Sequence, residues 1–197
     1  DIHKNLMNST SPIVDCGVHY VDIMCQMTKS KPKYVNAVGA RLTDEIAEDM
    51  YNYGHLQVVF EDGSIGWYES GWGPMISETA FFVKDVIGPK GSVSIVSDDD
   101  TFDTDSDNIE NHTKNNCLKI HSSKLDSDHN FISPNQKIVY DEDPSHQDLC
   151  DYEQEYFFKS ITEDIDLKSH MEDAFKSLQI ALACDEAVKR GKTVFLD

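Results

Sequence analysis

Three side chains suited to acid–base chemistry recur at helical spacing near the start of the chain. Asp15, His19 and Asp22 are four and three residues apart, so they share one stripe if this segment is a helix. An aspartate beside an imidazole orients the ring and favours its charged form, which makes a general acid/base. Asp22, one turn further on, would hold a substrate hydroxyl. The spacing alone favours a structural role over this chemistry, with Asp15 complementing the helix N-terminus and the others as satisfied polar contacts.

Metal binding is another interpretation of this stripe, because aspartate and histidine ligate hard and borderline cations. No fourth ligand follows from the spacing, and no metal site is predicted. Calcium binding at Asp103, Asp105 and Asp107 also fails as an interpretation. An EF-hand loop needs glycine and glutamate at positions that Asn108 and Lys114 occupy here.

Aromatic residues between 67 and 72 are candidates for contacts with a sugar. Trp67, Tyr68 and Trp72 offer flat apolar faces that can stack on carbohydrate C–H surfaces. Such residues more often anchor a core or an interface. Of the three, Trp72 is predicted to contact substrate.

A helix must position the polar stripe. Ser11 followed by Pro12 predicts its start, with serine as N-cap and proline in the first turn. Gly17 would allow another group to approach the backbone closely, and the end is expected at 29–33, where lysines flank a proline. The rest of the helix is apolar, which predicts burial on most sides. Its apolar residues are Val14, Val18, Val21, Ile23, Met24, Cys25 and Met27.

Composition restricts the class of protein. The 197 residues are 39% hydrophobic and 10% aromatic, which is typical of a globular domain. A net charge of −19 argues against nucleic-acid and anionic-membrane partners, since both need a basic surface. The sequence contains no transmembrane segment and opens on no signal peptide, so we expect a cytoplasmic protein with its five cysteines reduced.

The clearest strand signal is a hairpin. The Asp-Gly pair at 62–63 predicts a two-residue loop that pairs Phe60 with Ile65 and Val58 with Trp67, all four on one apolar face. The other expected elements are an irregular lead-in over 1–10, a strand over 34–43, a loop over 44–53, a hairpin over 80–87 and 92–96, a strand over 138–140, a helix over 146–161, a helix from a Ser169–Glu172 capping box to Gly191, and a strand over 193–196.

These elements predict an α+β fold. There is no regular βαβ alternation, so an open, mainly antiparallel sheet with helices packed on one face is expected. Residues 97–133 are polar and acidic, which predicts a surface excursion within a single domain over 1–197.

Four segments also match sequence patterns of a known enzyme family. DCGVHYVD at 15–22 fits a D-x-G-x-H-x-x-D pattern, and it is followed by FEDGSIGWYESGW, VIGPKGSVSIV and DAFKSLQIALACDEAVKRGKTVFL. In that order they resemble the motif helix, central hairpin, G-x-x-G turn and closing helix of the Gfo/Idh/MocA oxidoreductases, the family of glucose–fructose oxidoreductase and inositol dehydrogenase. The resemblance runs from about Val14 to Leu196.

The resemblance implies the C-terminal substrate-binding and oligomerisation domain of an NAD- or NADP-dependent dehydrogenase acting on a sugar, sugar acid or cyclitol. By position, His19 is the family's catalytic histidine, Asp15 its orienting or proton-relay partner, and Asp22 a carboxylate near substrate. The family's N-terminal Rossmann domain, with its G-x-G-x-x-G and E-K-P motifs, has no match in these residues. The cofactor would bind to that domain, and this chain alone is expected to be inactive. The open sheet face implies a homo-oligomer.

Two other functions stay open. A family-like domain retained only for assembly would keep the motif without catalysis. A metal-dependent lyase or isomerase would use the stripe of Asp15, His19 and Asp22 for different chemistry.

Overall fold

The computed structural model describes residues 2–73, 84–96, 117–140 and 144–196. They belong to two compact units, one formed by Asp1–Ile76 with Ile165–Asp197 and the other by Ser77–Asp164. The sequence predicts a single domain over 1–197 with one sheet, whereas the strands are divided between these two units. Both sheets are open and antiparallel, and helices accompany them, so the predicted α+β class is confirmed.

The described residues form helices and strands with the following bounds. The helices are α1 (Ile2–Met7), α2 (Pro12–Asp15), α3 (Gly17–Thr28), α4 (His146–Thr162) and α5 (Lys168–Arg190). The strands are β1 (Pro32–Ala40), β2 (Tyr53–Phe60), β3 (Ile65–Gly71), β4 (Lys84–Gly88), β5 (Gly91–Ile95), β6 (Cys117–Ser122), β7 (Gln136–Val139) and β8 (Val194–Phe195).

Sequence signals for the starts and ends of helices predict some of these bounds correctly and others wrongly. Helix α1 lies where an irregular lead-in was expected, and that prediction is wrong. Helix α5 begins one residue before Ser169 with Leu167 as its N-cap and no side-chain cap, so the predicted capping box is wrong. Gly191 ends α5 as predicted, because its φ of 60° is a left-handed conformation that favours glycine.

The first unit is built on a sheet with strand order β3-β2-β1-β8. Helices α2, α3 and α5 pack on one face of this sheet, as the sequence predicts. The core between them contains the buried side chains of Ile13, Val21, Val35, Tyr51, Leu56, Val58, Phe60, Ile180, Cys184 and Ala187. Since α2 and α3 carry the predicted site, this packing fixes the site to the sheet.

The β2–β3 hairpin has a different register from the one predicted. Phe60 N–H donates to the Ser64 carbonyl at 2.9 Å, so the loop has three residues and ends at Gly63, whose φ is 86°. An Asp-Gly pair fits this three-residue loop as well as the two-residue one. Ile65 therefore pairs with Val59 and not with Phe60, and the prediction is wrong by one residue.

A one-residue slip exchanges the two faces of a strand. Gly66 and Tyr68 of β3 pair with buried residues of β2 and lie on the core face. Ile65 and Trp67, predicted to be on the apolar core face, are 64% and 54% exposed on the open face.

The second unit contains a sheet with strand order β4-β5-β6-β7. The predicted turn at Pro89 and Lys90 joins β4 to β5, while the first residues of the predicted hairpin, 80–83, lie outside the described residues. Strand β6 lies within the predicted acidic excursion and its Cys117 is fully buried, so a wholly surface segment over 97–133 is wrong there. Residues 97–116 lie outside the described residues.

Candidate active site on the α2–α3 helices

The predicted motif helix is present as two consecutive helical segments. Val14 N–H donates to Ser11 Oγ at 3.3 Å and Pro12 is in the first turn, so the predicted start is confirmed. Helix α2 ends at Asp15, and α3 begins at Gly17 after Cys16, which keeps helical dihedral angles. Helix α3 ends at Thr28, before the left-handed Lys29.

Glycines on the sheet allow both segments to approach it closely. A Cβ at Gly54 would lie 2.8 Å from Ile13 Cδ1, and a Cβ at Gly66 would overlap the Met24 side chain. At Gly17 itself, a Cβ would lie 3.4 Å from the Tyr68 ring, which is an ordinary van der Waals contact, so the close approach predicted for that glycine is wrong. The missing side chains of Gly54 and Gly66 therefore set how near α2 and α3 come to the sheet.

The apolar side chains of this helix are less buried than the sequence predicts. Val21 is fully buried against the sheet, and Val14 and Val18 are half-buried. Ile23 and Met27 are 47% and 59% exposed. Burial on most sides is therefore wrong within this unit, since one apolar strip beside the polar stripe stays uncovered.

His19 and Asp15 project into solvent from the outer side of the helix. Both are exposed, and the His19 imidazole makes no hydrogen bond to any residue that the structure describes. The Asp15 carboxylate accepts a 3.6 Å hydrogen bond from the Cys16 thiol. The break between α2 and α3 falls between the two residues, and the orienting contact expected of Asp15 is not made in this structure.

Asp22, by contrast, faces the closing helix. Its Oδ1 lies 2.9 Å from the Ser177 hydroxyl of α5, which is 2% exposed. One turn later, Gln26 Nε2 donates to Asp173 Oδ2 at 3.4 Å. The stripe therefore divides into an outward half, Asp15 and His19, and a half that joins α3 to α5.

Trp72 lies beneath the α2–α3 junction. It is 9% exposed and packs in a small cluster with Met7 and Ile46, against which Cys16 also lies. These surroundings are those of a packing residue, the alternative that the sequence left open for the aromatic group. A direct contact with substrate stays a prediction.

Two tyrosines lie at the motif. Tyr20 is within it and was not predicted as a site residue, whereas Tyr68 of β3 was a candidate only for stacking on a sugar. The rings of Tyr20 and Tyr68 are stacked with centroids 4.5 Å apart. Burial raises the pKa of both phenols, and burial together with the Asp15 carboxylate raises the pKa of the Cys16 thiol. All three groups are therefore protonated near neutral pH, and the Cys16 thiol donates to Asp15. The corrected register of β3 is what brings Tyr68 to this position.

A second polar group, also missed from the sequence, surrounds the N-cap of α2. The Tyr51 hydroxyl lies 2.6 Å from Asp185 Oδ1 and 2.8 Å from Ser11 Oγ, and Lys189 Nζ lies 2.6 Å from Asp185 Oδ2. Burial raises the pKa of Asp185, but Lys189, Tyr51 and Ser11 outweigh it, so the net shift is downward. Burial and the hydrogen bond to Asp185 raise the pKa of Tyr51. The ionised carboxylate of Asp185 thus accepts hydrogen bonds from the neutral hydroxyls of Tyr51 and Ser11.

The described residues contain no parallel strand pair of the kind that Rossmann-type dinucleotide sites use. Such sites use a glycine-rich turn between a parallel strand and a helix, whereas every strand pair among the described residues is antiparallel. Within the same ranges, no cluster of three His, Cys, Asp or Glu side chains could hold a metal ion. None of the described helices is long and apolar enough to cross a membrane.

Comparison with known proteins supports the family resemblance. Residues 3–94, just under half of the chain, match the family model of the GFO/IDH/MocA C-terminal domain. This match confirms the resemblance that the motifs indicate. Comparison with curated proteins gave no significant match.

Solved structures of oxidoreductases share the fold. A levoglucosan dehydrogenase in complex with NADH and levoglucosan superposes with a TM-score of 0.66 at 15% identity, over 92% of this chain and 49% of that one. The aldose-aldose oxidoreductase from Caulobacter crescentus gives 0.62 at 18% identity, over 91% and 46%. A UDP-N-acetylglucosamine 3-dehydrogenase from Acidithiobacillus ferrooxidans gives 0.56 at 16% identity, over 88% and 45%. This chain spans about half the length of these structures.

Proposed function

We propose that this chain is the substrate-binding and catalytic-motif domain of an NAD(P)-dependent oxidoreductase. The reaction is hydride transfer between nicotinamide and a hydroxyl of a sugar, sugar acid or cyclitol. The single observation that carries the proposal is the exposed imidazole of His19, at the position that the sequence resemblance gives to the family's catalytic histidine. The names of the similar structures, which include levoglucosan and aldose enzymes, support a sugar-type substrate.

The residues have separate roles in this proposal. His19 takes the proton of the substrate hydroxyl, and Asp15 orients the ring or relays that proton once substrate and a second domain cover this face. Asp22 Oδ1 is held by Ser177, which leaves Oδ2 to accept from a second substrate hydroxyl. Trp72 packs in the cluster against which Cys16 lies, and so stabilises the junction between α2 and α3. The nicotinamide, bound by a Rossmann domain outside these residues, would accept the hydride.

The open face of the first sheet supports self-association of the same protein. Val38, Ile65, Trp67 and Phe195 are all exposed there, on strands β1, β3 and β8. Exposed large apolar side chains grouped on one face are typical of protein interfaces. The same patch favours the second candidate function, a domain retained for assembly without catalysis.

Activity of the chain with and without a cofactor domain tests the proposal. The 197 residues alone are expected to oxidise no sugar, sugar acid or cyclitol with NAD⁺ or NADP⁺, because the described residues contain no parallel strand pair of the Rossmann type. The same residues joined to a Rossmann domain of the family are expected to turn over. Robust oxidation by the 197 residues alone, or an inactive joined protein that still binds the cofactor, would contradict the proposal.

A further inference from the structure

The start of α2 is hydrogen-bonded to a residue of α5 that lies 174 positions later in the chain. The proposed reaction does not use these hydrogen bonds directly. Ser11 and Tyr51 are 2% and 5% exposed, and both hydroxyls meet the carboxylate of Asp185 on α5. We propose that Asp185 and Tyr51 are positioning residues for His19, acting through the Ser11 cap. This inference rests on the proposed role of His19 as acid/base.

Helix α2 depends on this contact because it is only four residues long. A helix this short does not hold its own orientation, so its cap and its packing decide where it points. Ser11 Oγ accepts from Val14 N–H, which leaves the hydroxyl proton to donate toward Asp185 Oδ1 at 3.2 Å. The carboxylate thus keeps the lone pair of Ser11 turned toward the helix.

Tyr51 makes this arrangement rigid. Its ring lies against two sheet glycines, with 2.8 Å to a Cβ placed at Gly39 and 3.2 Å to one at Gly54. A ring wedged there has little freedom to move, and its hydroxyl donates to the same Asp185 oxygen that Ser11 faces. The start of α2, the sheet and α5 therefore meet at one point.

The chain is hydrogen-bonded to α5 both before and after His19. Ser11 and Asp185 fix the chain before it, and Asp22 and Ser177 fix it one turn after. His19 itself makes no hydrogen bond to any of these described groups. Its position relative to a substrate hydroxyl is thus set by the two contacts together. Loss of the first lets α2 tilt, and the helical Cys16 passes that tilt to the start of α3, which carries His19.

Kinetics of the active, cofactor-domain-containing protein provide the first test. Asp185→Asn and Tyr51→Phe are each expected to lower kcat by about 10- to 100-fold, with KM for the sugar nearly unchanged, because a small displacement of the acid/base is enough. Glu186→Gln is the matched control, since this neighbouring carboxylate lies on the exposed side of α5 and, among the described residues, pairs with Arg190 alone. Melting temperatures above the assay temperature show that each variant is folded.

Nuclear magnetic resonance of the 197 residues provides a second test that does not need activity. In Asp185→Asn the Val14 amide and His19 ring signals are expected to shift, and in Glu186→Gln they are expected to stay. Unmoved signals in Asp185→Asn, or an unchanged kcat in both variants, would overturn the inference. If the wild-type protein proves inactive, the proposed function fails, and the resonance result alone decides whether Asp185 positions His19.

Discussion

His19→Gln in the cofactor-domain-containing protein is expected to lower kcat by about 10²- to 10⁴-fold, the contribution typical of a positioned acid/base. Glutamine keeps a polar side chain on the exposed surface of α3 but cannot take the proton of the substrate hydroxyl. Because His19 makes no hydrogen bond to a described residue, the melting temperature should not change. The measurement is initial rate at saturating sugar and cofactor.

His129→Asn is the matched control for this variant. His129 is an exposed histidine of the second unit with a φ of 63°, a conformation that asparagine tolerates. It is expected to leave kcat unchanged. An equally small effect of His19→Gln would contradict catalysis by the motif and would favour the assembly domain instead.

Ile13→Ala is expected to lower the free energy of unfolding by about 2–5 kcal/mol, the range for an aliphatic side chain removed from a packed core. Ile13 has no exposed surface, and its Cδ1 occupies the space that a side chain at Gly54 would fill. It is the apolar anchor of α2 on the sheet. Removal of the Ile13 side chain should therefore also reduce the activity of the folded protein, because it loosens the segment that precedes His19.

Ile23→Ala gives an internal comparison for the same substitution. Ile23 lies on α3, on the strip that this unit leaves uncovered, and is 47% exposed. Its removal should change the free energy of unfolding by no more than about 0.5 kcal/mol. Both values come from urea unfolding at one temperature and pH. Equal losses for the two isoleucines would mean that α2 does not pack on β2 as described.

Structural features that depend on residues close together in the chain were predicted well from the sequence. Ser11 and Pro12 mark the helix start, and Gly191 marks the end of α5, because caps and left-handed stops depend only on neighbouring backbone groups. The order of motifs from Asp15 onward was enough to indicate the family. The hairpin was found from the same kind of signal, and its register was missed because an Asp-Gly pair serves loops of two or three residues.

Contacts between distant residues could not be predicted from the pattern. Asp185 meets Ser11 across 174 positions, and Asp22 meets Ser177 across 155. Asp22 was therefore placed on one stripe with His19, although its partner lies on α5. Nor does helical periodicity show which side of an apolar helix faces the core, and Ile23 proved to be exposed.

Transfer of deuterium from a sugar labelled at its reacting carbinol carbon tests the central claim most directly. The substrate would be incubated with the active, cofactor-domain-containing protein and the oxidised nicotinamide, and the product cofactor analysed by mass spectrometry. The account predicts that the deuterium appears on the reduced nicotinamide and that His19→Gln suppresses this transfer. Deuterium that stays on the sugar or exchanges with water while product forms would contradict hydride transfer and favour a lyase or isomerase.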